Sequence, residues 1–244
     1  MKRTGLGLAG AAAVALASPS RALGANSRVT VGLIGCGGRG TGLGQEFAEQ
    51  KDARVVYVCD PESRRAAAAQ KAAKADHAVA DLRRILDDKA VDAVVIATPD
   101  HWHAPAALLA CEAGKHVYVE KTCAHNIREG RLLVEAARRH KRVLQVGTQS
   151  RSSPVLQKAF QMLRDGTIGD VLVAKAWNSQ RRANIGHAKP SEPPAGFDYD
   201  LWVGPAAWVP YQSNRCHYAW HWWYNFGTGD AGNDGVHELD IARW

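Results

Sequence analysis

The sequence has no apolar run long enough to cross a bilayer. Its longest, GLGLAGAAAVALA, is thirteen residues (5–17), against the roughly 20 that a spanning helix needs. It has no close pair of cysteines. Cys36, Cys59, Cys111, Cys123 and Cys216 are odd in number and widely spaced, which excludes a disulfide framework. Cys36 and Cys59 close apolar runs, as small buried hydrophobes do. Internal repeats are absent, and so is any acidic residue before Glu46. The surplus of positive charge is small: of a net +7, Lys2, Arg3 and Arg21 carry three, leaving +4 for the rest. Those charges are spread over helical patterns such as ESRRAAAAQKAAK and EGRLLVEAARRHKR. They read as solvated helix faces and give no nucleic-acid patch.

What is present starts with an address. Lys2 and Arg3 precede the thirteen-residue run, and ASPSRALGA supplies small residues suited to cleavage. This layout predicts a signal peptide over residues 1–24 and an exported, periplasmic protein with no membrane span once the leader is removed. Lys2 stands where a twin-arginine signal would place its first Arg. The alternative is an N-terminal helix packed on the domain. With 46% apolar and 23% charged residues over 244 positions, the remainder is long enough for one large or two modest globular domains.

Glycine is the residue in excess. VTVGLIGCGGRGTGLG, residues 29–44, holds seven, each raising the entropy cost of folding. Either the stretch is a flexible linker or its backbone approaches something closely. GCGGRG fits G-x-G-x-x-G at Gly35, Gly37 and Gly40, with Gly38 and Arg39 inside the loop. It follows a short apolar run and opens a helical one, and Asp60 closes the next apolar run about twenty residues on. This context is the dinucleotide-binding fingerprint. One glycine makes the turn, one lets the backbone touch a diphosphate, and one lets helix and strand pack. A carboxylate at Asp60 accepts from ribose hydroxyls and repels a 2′-phosphate, so NAD is favoured, with NADP open because Arg64 and Arg65 follow.

From Val29 to Gln149 apolar strand-like runs alternate with helical patterns. The runs are continuous rather than alternating, as in strands covered on both faces. The fold class is therefore α/β, a doubly wound parallel Rossmann sheet. In the helix NIREGRLLVEAARRHK, Asn126 and Glu129 form a variant of the capping box. Beyond it, SPVLQKAFQMLRDG predicts a helix. DVLVAKAWNSQ alternates like a half-exposed antiparallel strand, and NDGVHELDIARW reads as a helix start that runs into Trp244, so the second domain is expected to continue further. The division predicted is 25–149 for the nucleotide-binding domain and 150–244 for part of an α+β substrate domain with a mainly antiparallel sheet.

VVIATPDHWHAPAALLACEAGKHVYVEK resembles the Gfo/Idh/MocA family of glucose–fructose oxidoreductases and inositol dehydrogenases. The resemblance rests on Thr98, Pro99, His103, Glu120 and Lys121, with Thr122 where that family usually has Pro. FDYDLWVGPA and GVHELDIARW are similar to its second domain. It implies an NAD(P)-dependent oxidoreductase that moves hydride between a nicotinamide cofactor and a hydroxyl of a sugar, polyol or glycoside. Lys121 and His237 are implied at the reacting hydroxyl, and a homo-oligomer for the full-length form. Many members carry Asp where Asn233 stands here. On an α-helix Asn233, His237 and Asp240 would share a face; Asp234 or Asp240 is the partial replacement for the family's Asp.

Plainer readings stand beside these. Lys121 reads also as a surface lysine at a strand end, His237 as a helix-start residue, and His103 as the cap of a helix starting near Ala104 rather than a cofactor contact. Gln149 ends a strand at the edge where ligands bind, or simply makes a turn. Cys216, His217 and His221 have metal-like spacing but no further ligand cluster, so no metal is predicted. Of Trp220, Trp222, Trp223 and Tyr224, one or two are expected to face a sugar and the rest the core. Free cofactor is scarce outside the cytoplasm, so an exported member is expected to hold its cofactor tightly. That leads to the alternative, a glycoside hydrolase that oxidises its substrate transiently on bound NAD. A non-catalytic sugar sensor is a third class.

Overall fold

The computed structural model describes residues 28–244; the leader reading of 1–24 lies outside them. Six strands form one parallel sheet: β1 (Val29–Ile34), β2 (Ala53–Cys59), β3 (His77–Val79), β4 (Ala93–Ile96), β5 (His116–Glu120) and β6 (Leu144–Gly147). Their order is β3-β2-β1-β4-β5-β6. Chain direction across the sheet reverses between β1 and β4, which pair from Val31↔Ala93 to Ile34↔Ile96. The crevice at such a reversal is where doubly wound sheets bind ligands.

The strands are continuous apolar runs because both faces are covered. Val94 and Ile96 of β4 pack with Ala107, Ala110 and Leu133 from α4 (Asp100–Glu112) and α5 (Ile127–Arg139). Val95 points to the other face. It joins Leu33, Leu43 and Ala69 beneath α1 (Gly38–Glu49) and α2 (Ser63–Ala73). Cys36 and Cys59 are buried, and burial pushes both thiols far up, so they stay protonated and act as packing groups. At the start of α5 the Asn126 side chain accepts from Glu129 N at 3.0 Å. Glu129 returns the contact one residue earlier than the standard box, accepting from His125 N at 2.7 Å.

After a short α3 (Arg83–Asp87) and the elements above, the chain changes character. A 3₁₀ turn (Gln149–Ser152) leads to α6 (Pro154–Arg164). Residues 170–194 then carry neither helix nor strand. The strand predicted from DVLVAKAWNSQ is thus absent: Leu172 and Trp177 are 89% and 72% exposed. A strand exists only by pairing, and among the described residues none runs beside this segment, so alternation alone does not produce one. Order returns at α7 (Tyr199–Val203), a 3₁₀ turn (Ala219–Trp222), a π turn (Ala231–Gly235) and α8 (Val236–Arg243). A compact aromatic cluster of Phe197, Tyr199, Trp202, Tyr211 and Phe226 holds this part together.

Candidate functional site

The glycine loop follows β1 at the reversal point. Gly35 has φ +92°, and a Cβ there would come within 2.6 Å of Ala97 O. A Cβ on Gly40 would lie 1.9 Å from Gly35 O. These two glycines are fixed by the turn and by the approach of α1. Gly37 and Gly38 differ: an added Cβ meets nothing nearer than Arg65 Nη1 at 3.6 Å for the first and nothing within 4 Å for the second. Their backbone faces open space, and no side chain caps α1. The loop therefore presents uncapped N–H groups of a helix start, which suits an anion.

That space is a cavity of about 840 Å³. Gly35, Gly37, Gly38 and Arg39 line it; Gly40 is buried beneath the turn. Asp60, Arg65, Leu82 and Arg83 bound one end. Asp60 Oδ2 accepts from Cys36 N at 2.8 Å and Oδ1 from Glu62 N at 2.9 Å, so the carboxylate ties the glycine turn to the start of α2. Burial raises its pKa, and the two N–H groups oppose that shift.

The other end is bounded by Thr98, Glu120, Lys121, Gln149 and Asn233. Glu120 is buried and accepts from Arg39 Nε at 2.8 Å. Lys121 Nζ donates to Asn233 O at 2.7 Å and lies 3.3 Å from Asn233 Oδ1. The Thr98 hydroxyl is buried without a partner. Pro99 and His103 also line the cavity. His103 is no cap: α4 begins at Asp100 behind Pro99, and its ring bridges Thr98 O (2.9 Å) and Thr122 O (2.6 Å). It braces the loops after β4 and β5 against each other.

The structure does not bring Asp240 to this cavity. Its carboxylate is held by Arg151, with contacts of 2.7 and 2.9 Å. His237 is half-buried and is likewise absent from the cavity wall. The shared face predicted for Asn233, His237 and Asp240 assumed an α-helix throughout. Residues 231–235 instead form a π turn, whose i→i+5 bonding changes the angular spacing. Asn233 reaches Lys121 from that turn. Arg182 anchors it, with Nε at 2.9 Å from both Asp230 oxygens and its guanidinium also on Asp234.

Two wall residues, Asp100 and Trp102, carried no signal in the sequence pattern. In DHWH, four consecutive side chains bind different targets. Asp100 accepts from Thr228 N and Oγ1 at 3.0 and 2.6 Å. The His101 ring contacts the carbonyls of Phe226 and Trp202. Trp102 Nε1 donates to Trp202 O at 3.0 Å, and His103 makes the brace above. This segment fastens the aromatic cluster to the rim of the sheet. Of the four aromatics considered, Trp220 lines the cavity, joined by Tyr218; Tyr224 is 89% exposed. No group of three metal-ligating side chains occurs among the described residues.

Comparison with known proteins agrees with this geometry. The family model described as "Oxidoreductase family, NAD-binding Rossmann fold" matches residues 29–148, and that described as "Oxidoreductase family, C-terminal alpha/beta domain" matches 174–244. The chain belongs to the Gfo/Idh/MocA oxidoreductase family. It is 31% identical over 218 residues to inositol 2-dehydrogenase 2 of Saccharopolyspora erythraea, covering 88% of this chain and 53% of that one. It is 36% identical over 160 residues to glycosyl hydrolase family 109 protein 2 of a Shewanella species, strain ANA-3, covering 61% of this chain and 34% of that one. A solved levoglucosan dehydrogenase in complex with NADH superposes with a TM-score of 0.65 at 24% identity, over 89% of this chain and 53% of that one, and shares the fold. The chain thus spans a third to about half the length of these relatives.

As the dinucleotide-binding domain of this family, the cavity fits the cofactor its fold implies. Open space over Gly37 and Gly38, a fixed carboxylate at Asp60 and an unpartnered Thr98 hydroxyl are the donors and acceptors a dinucleotide needs.

Proposed function

We propose that the whole protein is an NAD-dependent oxidoreductase acting on a sugar, polyol or glycoside hydroxyl, with Lys121 at the reacting oxygen. The supporting observation is Lys121 itself. An ammonium has three N–H donors, and Asn233 occupies at most two of them. One remains for a substrate oxygen at the wall of the cavity.

In this reading the N–H groups around Gly37 and Gly38 bind the diphosphate, and Asp60 orients the adenosine ribose. A bound nicotinamide would accept or return a hydride at the carbon bearing the reacting hydroxyl. Lys121 Nζ would donate to that hydroxyl's oxygen and stabilise negative charge as its proton passes to a base, the role the family resemblance gives to His237. Asn233 holds Nζ through neutral oxygens, so the cation keeps its full charge for the substrate. Trp220 and Tyr218 exclude water and offer ring faces to apolar sugar C–H groups. His237 lies one element beyond Asn233 and stands as the second proton-handling group that the family resemblance implies. The leader-like N-terminus supports export.

The similarity to a family 109 glycosyl hydrolase favours a second reading, glycoside cleavage with no net change in the cofactor. One assay separates the two. The purified full-length protein is denatured to release and identify bound cofactor, and intact protein is offered sugars and aryl glycosides with and without added NAD. Net NADH formation is the expected result. Aryl-glycoside cleavage without net NADH establishes the second reading, and sugar binding with neither reaction overturns both.

A further inference from the structure

We propose that residues 196–221 form a strap across the adenosine end of the cavity and hold the cofactor on the protein between turnovers. This rests on the cofactor reading above and assigns that site a second wall. The end bounded by Asp60, Pro61 and Arg65 is closed on the far side by Phe197 and His217, which come from outside the Rossmann sheet. A ligand seated on the glycine turn would lie between the two walls.

The contact between the walls is built backbone to backbone. Ser63 N donates to Gly196 O at 2.9 Å, and Asp198 N donates to Pro61 O at 2.9 Å. Together they make an antiparallel bridge between Glu62 and Phe197. The approach requires glycine at 196. Its φ is +78°, and a Cβ there would sit 2.6 Å from Ser63 Oγ. A side chain closes the same joint from further along the strap. His217 Nε2 lies 3.3 Å from Glu62 Oε2, while Glu62 also takes Arg65 Nε at 2.8 Å. The rings of His217 and Phe197 lie 5.6 Å apart.

The strap cannot swing freely. Phe197, Tyr199 and Trp202 are buried in the aromatic cluster, and the Trp202 carbonyl is gripped by His101 and Trp102 at the start of α4. His217 and Tyr218 have φ of +52° and +79°, a conformation that non-glycine residues hold only when their surroundings enforce it. Local opening is therefore the step that gates exit from this end, and the anchors at Gly196, Asp198 and His217 set its frequency.

The test is NADH release from the full-length protein, followed by fluorescence during a chase with excess ADP-ribose, together with the equilibrium affinity for ADP-ribose alone. Wild type is compared with Gly196→Ala and His217→Ala. Thermal melting checks that each folds; His217→Ala, at a partly exposed side chain, keeps the test decisive if Gly196→Ala does not. The expected result is release accelerated at least about tenfold, with weaker ADP-ribose binding, in a folded variant; tenfold corresponds to removing about one net hydrogen bond. Release at the wild-type rate in folded His217→Ala overturns the strap. A wild-type protein that binds neither NADH nor ADP-ribose overturns the cofactor reading beneath it.

Discussion

At the scale of single residues, the site is a set of charges each held by a named partner. Asp60 is half-buried at the cavity, and Cys36 N and Glu62 N donate to its two oxygens. Asp60→Ala removes a charged acceptor and leaves those donors unmet. Hydrogen bonds to charged groups are worth about 1.5–3 kcal/mol, so NAD should bind roughly 10–150-fold more weakly, as read by calorimetry. Affinity for the 2′-phosphorylated cofactor should fall less, because Arg65 remains beside the vacated carboxylate. An equal loss for both cofactors would remove Asp60 from the ribose site. Asp60 and the three fingerprint glycines were legible because their spacing follows from a strand–turn–helix, whereas Lys121 stood out only through the family resemblance. Asn233 was legible only as an oddity of type. Its contact with Lys121 spans 112 positions in the chain, and no local pattern encodes such a contact. Asp240 misled for the converse reason: a helical periodicity was extended through a segment that bonds as a π turn.

At the scale of elements, the first turn of α4 is the joint of the molecule. Its DHWH side chains reach the loop after β5, α7 and the 226–228 loop, and His101 is buried among them. Burial lowers its pKa from 6.5 to about 4. The imidazole is neutral in the folded protein and donates to only one of the carbonyls of Trp202 and Phe226. The unfolded chain binds the proton more readily than the folded one. The stability this supplies is complete above pH 6.5 and lost as pH falls toward 4. Its size is on the order of 3 kcal/mol, since each pH unit between the two values carries about 1.36 kcal/mol. Melting temperatures across this window should fall less steeply in His101→Gln than in wild type. Parallel curves would show that His101 is not the group titrating. The helices and strands of residues 29–149 were readable because both periodicities and turn chemistry agree there. The strand expected at 170–180 was not, because half its determinants belong to a neighbour that the segment's own sequence does not contain.

At the scale of the whole molecule, a parallel sheet supplies a rim and a second, mostly irregular unit supplies the opposing wall. The cavity exists only where they meet. The glycine loop and Asp60 bring the first wall; Phe197, His217, Tyr218, Trp220 and Asn233 bring the second. Joining the two are the α4 clamp, the Glu62–Phe197 bridge and the Lys121–Asn233 contact. This division explains why the nucleotide-binding half could be inferred from local motifs. The other half is assembled from contacts between distant segments. On the proposed reading one cavity carries two functions, holding a dinucleotide and acting on a hydroxyl, and these should be separable by substitution. The most direct measurement takes Lys121→Ala in the full-length protein and determines, on one preparation, its turnover of the identified substrate and its affinity for NADH. Turnover should fall by roughly 10²–10⁴-fold, the range for positioned proton-handling and charge-stabilising groups, while NADH affinity stays at the wild-type value. Undiminished turnover, or a loss of NADH binding in step with it, would contradict the account.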